Sequence, residues 1–256
     1  MSERKHYFSY SASGSAFGGI MTDPESITVP TQAMASLSPS GGYGTATVEN
    51  FGIDGLLTVR KGTTTVQGDL KQTEITVTLE DINVMNRLTV ARIVVHLVAQ
   101  TQLGAYEATI TPMGSLIEGL RVDGNDISIP CSAPVYDRYP GWTGLEQAYV
   151  EGALKGLIIA PGTLGAPCSA ERLDGCETRA GNVKATLYPL EGYSGPYPVV
   201  NGGLRVKGLA TLYMGEYRIS KFSRRLNMLR VELGCDRSGS IGFGEGSGNG
   251  QWEPPD

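Results

Sequence analysis

The stretch TEITVTLEDINVMNRLTVARIVVHLVAQTQ, residues 73–102, decides the fold. Apolar and polar residues alternate through Ile75, Val77 and Leu79, the rhythm breaks at Asn83–Arg87, and it resumes through Leu88, Val90, Ile93, Val95 and Leu97. A period of two puts successive side chains on opposite faces of a strand. The stretch therefore predicts two long antiparallel strands around a turn, half buried on one face. His96 falls on the phase opposite Val95 and Leu97, which makes it a scaffold position with no catalytic partner evident nearby.

Outward from this hairpin the strand signals stay dense. TATVENF and GLLTVRKG, separated by GIDG, precede it together with TTTVQGDL; AYEATITPMG and SLIEGLRVDGNDISIP follow. In the last of these, Asp123–Asp126 (DGND) reads as a hairpin turn, because Gly and Asn tolerate positive φ. The second half adds GNVKATLYPL, GGLRVKGLATLYM, EYRISKF and NMLRVELG. Thr143–Leu157 carries both helical and alternating spacing; Gly152 and Gly156 weaken a helix by about 1 kcal/mol each, so a strand is favoured there. The 35 glycines, roughly twice the usual share of about 7%, mark turns between short strands. The pattern predicts an all-β, antiparallel sandwich or barrel-like two-sheet architecture with little helix. Its organisation is an N-terminal β region (residues 1–130), a C-terminal β region (131–240) packed on it as one unit, and a flexible Gly-rich tail (241–256).

A net charge of −5 with scattered Lys and Arg excludes the basic footprint of a nucleic-acid binder. No apolar run approaches the roughly 20 residues of a transmembrane helix, and the first residues lack the apolar core of a signal peptide. Cys131, Cys168, Cys176 and Cys235 form no CxxC pair, and with two histidines in the chain a structural zinc site is not expected. Four cysteines allow three pairings, among which sequence does not choose; Cys168 with Cys176 would close a small loop and leave Cys131 with Cys235, and oxidation implies an exported protein.

YSASGSAFGG, GTATVENFGIDGLLTV, INVMNRLTVARIVVHLVA and GSLIEGLRVDGNDISIP occur in an order that resembles bacterial, actinobacterial-type choice-of-anchor proteins of the P type, mainly over residues 8–130. The resemblance implies secretion and a cell-surface or matrix role. It implies no catalytic residues.

Candidate chemistry is sparse. His6 sits in a solvated charged run, no GxSxG elbow is present, and GFGEGSGNG (242–250) lacks the Lys-Ser/Thr ending of a phosphate-binding loop. Glu80-Asp81 and Glu146/Glu151 are coincidental acidic neighbours, and Asp123–Asp126 lacks a calcium loop's full ligand set. The remaining constellation is aromatic: Tyr136, Tyr139 and Trp142 in one Pro/Gly-rich loop, and Tyr193 and Tyr197, after Tyr188, in another. Such residues suit saccharide stacking or protein contacts, or else form a small satellite core. The expectation is a non-catalytic surface, matrix or self-assembling protein without cofactors. Its partner is another protein, copies of itself or a cell-wall glycan, engaged through sheet edges, loops and the terminal arms. The alternatives are a carbohydrate-binding module and, third, a glycosidase or esterase.

Overall fold

A computed structural model describes residues 8–9, 11–23, 26–38, 40–69, 71–100, 107, 109–161, 183–234, 238–249 and 251–252. Along the chain run β1 (Phe8–Ser9), β2 (Ala12–Asp23), β3 (Ile27–Gln32), β4 (Ala35–Ser36), β5 (Gly42–Ile53), β6 (Leu57–Gly68), β7 (Gln72–Val84) and β8 (Leu88–Gln100). Short pieces follow: β9 (Thr109–Thr111), β10 (Leu116–Glu118), β11 (Arg121–Val122), β12 (Asn125–Asp126), then α1 (Ala133–Asp137) and α2 (Trp142–Val150). The second half holds β13 (Ile158–Ala160), β14 (Val183–Thr186), β15 (Val199–Val200), β16 (Gly203–Val206), β17 (Ala210–Ile219), β18 (Ser223–Gly234), β19 (Ser238–Asn249) and β20 (Gln251–Trp252).

Two antiparallel sheets result, as the alternation predicts, and they form an open sandwich. Sheet I runs β13-β14-β17-β18-β19-β2-β3, with β16 on β17 and β4 on β2; sheet II runs β12-β11-β8-β7-β6-β5, with β9 and β10 also on β8. The opening stretch is the β7–β8 hairpin, paired from Gln72↔Gln100 to Val84↔Leu88. Its turn has Met85 and Asn86 at φ 53° and 55°, and Arg87 N–H donates to Val84 O. This is the mirror-image turn that matches strand twist. Asp123 and Gly124 (φ 48° and 78°) close the β11–β12 hairpin in the same way.

The hydrophobic phase slips by one residue within the strands. On β7 the buried side chains are Ile75, Val77 and Leu79, then Ile82 and Val84; on β8 they are Leu88 and Val90, then Ile93, Val95 and Leu97. Pairing stays in register across the slip, because Ile82↔Val90 is followed by Glu80↔Arg92. Asn50 on β5 and Asp81 on β7 take positive φ (52° and 51°) on this rung, and Gly215 and Gly244 (59° and 67°) do so on sheet I. A left-handed residue on a strand turns the following side chains to the other face, so each sheet bends without losing its apolar inner surface.

Sheet I meets sheet II through small residues. A Cβ at Gly14 would lie 3.0 Å from both Thr64 and Val77 side chains, one at Gly62 2.8 Å from Ala16 Cβ, and one at Gly246 2.9 Å from Val95. Strands rich in Gly and Ala (β2, β19) thus seat the branched side chains of β6–β8. The region expected to be a flexible tail is corrected here: residues 241–249 belong to β19, paired on one side with β18 and on the other with β2. Ile241 and Phe243 are fully buried. A boundary at residue 130 does not follow the sheets either, since β2–β4 belong with β13–β19. The two ends pair with each other, Phe8↔Trp252 and Ser9↔Gln251.

The second correction is helical. Thr143–Leu157, favoured as a strand, begins as α2 and buries Trp142, Leu145 and Ala148. Gly152, with positive φ, ends the helix just past its C-cap Glu151, and Gly156 lies further on, so neither weakens it.

Candidate functional site

The predicted aromatic residues do not assemble into a stacking surface. Tyr136 is 1% exposed; its hydroxyl donates to Thr186 O at 3.1 Å, and its ring packs edge-on against Tyr217 at 5.1 Å between centroids. Burial pushes its phenol well above the ordinary range. Trp142 is 7% exposed and is the first residue of α2, where the Glu107 carboxylate accepts hydrogen bonds from the Trp142 and Thr143 backbone N–H groups. Both residues belong to the core, which corrects their assignment to a binding loop. Tyr139, Tyr193 and Tyr197 are half-buried and pack against that same core. Tyr197 donates to Val122 O at 2.8 Å, tying its loop to β11. Tyr188, on the same segment, is buried and its hydroxyl accepts from Ile117 N–H at 2.7 Å.

The cysteines form no bridge among the described residues. Cys131 is a free thiol donating to Ser115 O, and the partner expected for it, Cys235, is not among those residues. Cys168, Cys176 and Cys235 lie outside the described residues, as does His6.

His96 has a partner that spacing alone did not reveal. On the outer face of sheet II its Nε2 lies 2.8 Å from Glu74 Oε1, while Gln67 Nε2 donates to Glu74 Oε2 at 2.6 Å. The Gln67 amide, and then the imidazole, hold the Glu74 carboxyl below its usual range against the opposing effect of partial burial. Ser115 Oγ accepts from His96 N–H and donates to His96 O, filling a gap in the ladder between β9 and β10. The serine hydroxyl therefore bonds to the backbone of His96, not to its imidazole, which leaves the pair without the nucleophile–base contact of a hydrolase. Its geometry braces a sheet surface.

Arg224 is another residue that sequence reading missed. It is 1% exposed, with Nη1 donating to Ser220 O and Ser223 O, and burial pulls its guanidinium below the ordinary range. Among the described residues no group of three His, Cys, Asp or Glu side chains is placed to hold a metal, and no helix is long and apolar enough to cross a membrane.

Two surface features remain. One is the edge of sheet II formed by β5, which among the described residues pairs only with β6. Tyr43, Thr45, Thr47 and Glu49 are exposed on it, while Gly44, Ala46 and Val48 are half-buried. The other is a groove of about 340 Å³ on the outer face of sheet I, whose lining includes Lys184, Arg218, Tyr213, Arg230 and Glu216. There Arg230 lies over the Tyr213 ring at 4.0 Å from its centroid and is held bidentately by Glu216 at 2.7 and 2.9 Å.

The chain belongs to the family described as a domain of unknown function, DUF8256, whose model matches residues 8–155. The matched span holds all of sheet II, the two helices and only β2–β4 of sheet I. No curated protein and no solved structure matches the chain.

Proposed function

We propose that this protein is a non-catalytic structural or interaction component, acting at the cell surface or outside the cell, that associates edge to edge with copies of itself through β5. The observation that carries this reading is the character of that edge. Sheet ends are normally blunted by short strands, proline, lysine or bulges. Here β3 carries Pro30, and β12 and β13 are only 2 and 3 residues long. β5 is 12 residues long with no proline or lysine, and it stays regular from Tyr43 to Glu49 before the left-handed Asn50 bends it.

A second copy fits this stretch about a two-fold axis through Ala46. Tyr43 then lies opposite Glu49 of the other copy, Gly44 opposite Val48 and Thr45 opposite Thr47. That register avoids opposing like charges and sets up Thr–Thr contacts, a favourable cross-strand pair. The backbone groups on the outer side of β5, unpaired among the described residues, complete one another's ladder.

Light scattering on the eluting protein tests the reading. The native protein is expected at twice its 27.2 kDa chain mass, and Thr47→Lys, on the exposed face, is expected at the single-chain mass with an unchanged far-ultraviolet spectrum. A native protein that stays monomeric across the concentration range, or a dimer unmoved by lysine at positions 45 and 47, overturns the proposal.

A further inference from the structure

The outer face of sheet I carries an electrostatic conflict that the fold does not resolve. Lys184 on β14 lies directly opposite Arg218 on β17, and Arg218 lies directly opposite Arg225 on β18. Like charges facing each other across strands destabilise a sheet. Arg225 is neutralised by Glu245 on β19, its other neighbour. Lys184 and Arg218 are exposed and form no ion pair or side-chain hydrogen bond among the described residues. Two uncompensated cations therefore stand side by side at one end of the groove. Towards its other end are groups of a different kind, the Glu216 carboxylate, the Asn201 side chain and the Tyr213 ring, while the apolar side chain of Ile159, 56% exposed, flanks Lys184 from β13.

We infer that this groove binds an acidic saccharide, with a uronate carboxylate seated between Lys184 and Arg218 and the sugar hydroxyls over Glu216 and Asn201. A paired cation site gives a carboxylate charge-assisted hydrogen bonds from two donors. Glu216 and Asn201 supply the acceptor and amide groups that hydroxyls need, and the exposed Ile159 offers apolar surface to a ring face. A volume of about 340 Å³ is that of a small-ligand cleft, not a channel for a polymer backbone. This site is separate from β5 and from the aromatic residues 136–142 and 193–197, and it stands or falls independently of edge pairing.

Calorimetric titration of the full chain with oligogalacturonate tests the inference, with a neutral oligosaccharide of equal length, a sulfated one and a single-stranded oligonucleotide run beside it. Binding of the uronate oligomer is expected, weakening as salt is raised, with the neutral sugar silent. Arg218→Ala and Lys184→Ala are each expected to lower the affinity by about tenfold or more. Both variants should melt no lower than the native protein, because each removes a like-charge opposition; this distinguishes loss of the site from loss of the fold. Absence of uronate binding, or binding that both variants retain, refutes the site. Stronger binding of the sulfated sugar would overturn the assignment to uronate, and stronger binding of the oligonucleotide the assignment to a saccharide.

Discussion

Gly246→Ala is the sharpest perturbation the structure offers, because two readings of the same residue predict opposite results. If residues 241–256 were a flexible tail, an added methyl would do nothing. In the structure Gly246 faces sheet II from β19, and a Cβ there would lie 2.9 Å from Val95 Cγ1, 3.3 Å from Leu97 Cδ1 and 3.5 Å from Ile75 Cγ2. The first distance is about half an ångström short of ordinary contact. Val95 cannot retreat: it is fully buried, β-branched, and paired with Val77 on the neighbouring strand. Overpacking of this kind costs about 1–3 kcal/mol. Alanine recovers up to about 1 kcal/mol by restricting the unfolded chain, leaving a net loss between about 0 and 3 kcal/mol, centred near 1.5 kcal/mol.

Urea denaturation at 25 °C measures this directly, with the m-value expected to stay constant. A chain of this size should also lose roughly 2–4 °C of Tm per kcal/mol. A double-mutant cycle assigns the cause. Val95→Ala alone opens a cavity costing about 2–3 kcal/mol, but it also removes the atom that Gly246→Ala strikes. The double variant should therefore be more stable than the sum of the single effects, by about 1 kcal/mol or more. A neutral Gly246→Ala combined with strict additivity would refute the close sheet contact. Tolerance of a chain ending at residue 240 would do the same.

The other predictions concern the helical segment. Tyr136→Phe should cost about 1 kcal/mol through the lost bond to Thr186 O, and Tyr136→Ala about 3–5 kcal/mol through the cavity left beneath Tyr217; a neutral alanine variant would mean that the ring is not core. Asp137 is half-buried with one carboxyl oxygen lacking a partner, and burial raises its pKa above 3.8 against the attraction of His96. A raised folded-state value means that its favourable contribution is complete below the unfolded value and is lost as pH climbs through the folded one. Asp137→Asn should therefore gain stability relative to the native protein between pH 3 and pH 7, read from denaturation midpoints; parallel pH profiles would contradict this. Trp142, buried at the start of α2, should emit at short wavelength and stay unmoved by saccharides, including one bound in the outer groove.

What sequence reading recovered, and what it missed, follows from how each feature is encoded. The β7–β8 hairpin is legible because large apolar side chains mark its inner face residue by residue. Even its slip is written there, since Leu79 to Ile82 and Val90 to Ile93 are spaced by three where the rhythm demands two. β19 is equally central and is harder to read, because beyond Ile241 and Phe243 its contribution to the core is made by absent side chains. Gly244, Gly246 and Gly248 bury no apolar surface of their own; they let Ile75, Ile93, Val95 and Leu97 approach, and a hydropathy pattern sees only a polar, glycine-rich run. The surface sites hide for a related reason. Glu74 and His96, or Lys184 and Arg218, are 22 and 34 residues apart in the chain and meet only through strand register. A cross-strand pair is invisible until pairing is known, whereas an aromatic cluster such as residues 136–142 is conspicuous in sequence yet half consumed by the core. In a sandwich of this kind, local richness in aromatic residues therefore marks packing. The candidate chemistry lies instead where register leaves backbone or charge unpaired, at β5 and at the Lys184–Arg218 rung.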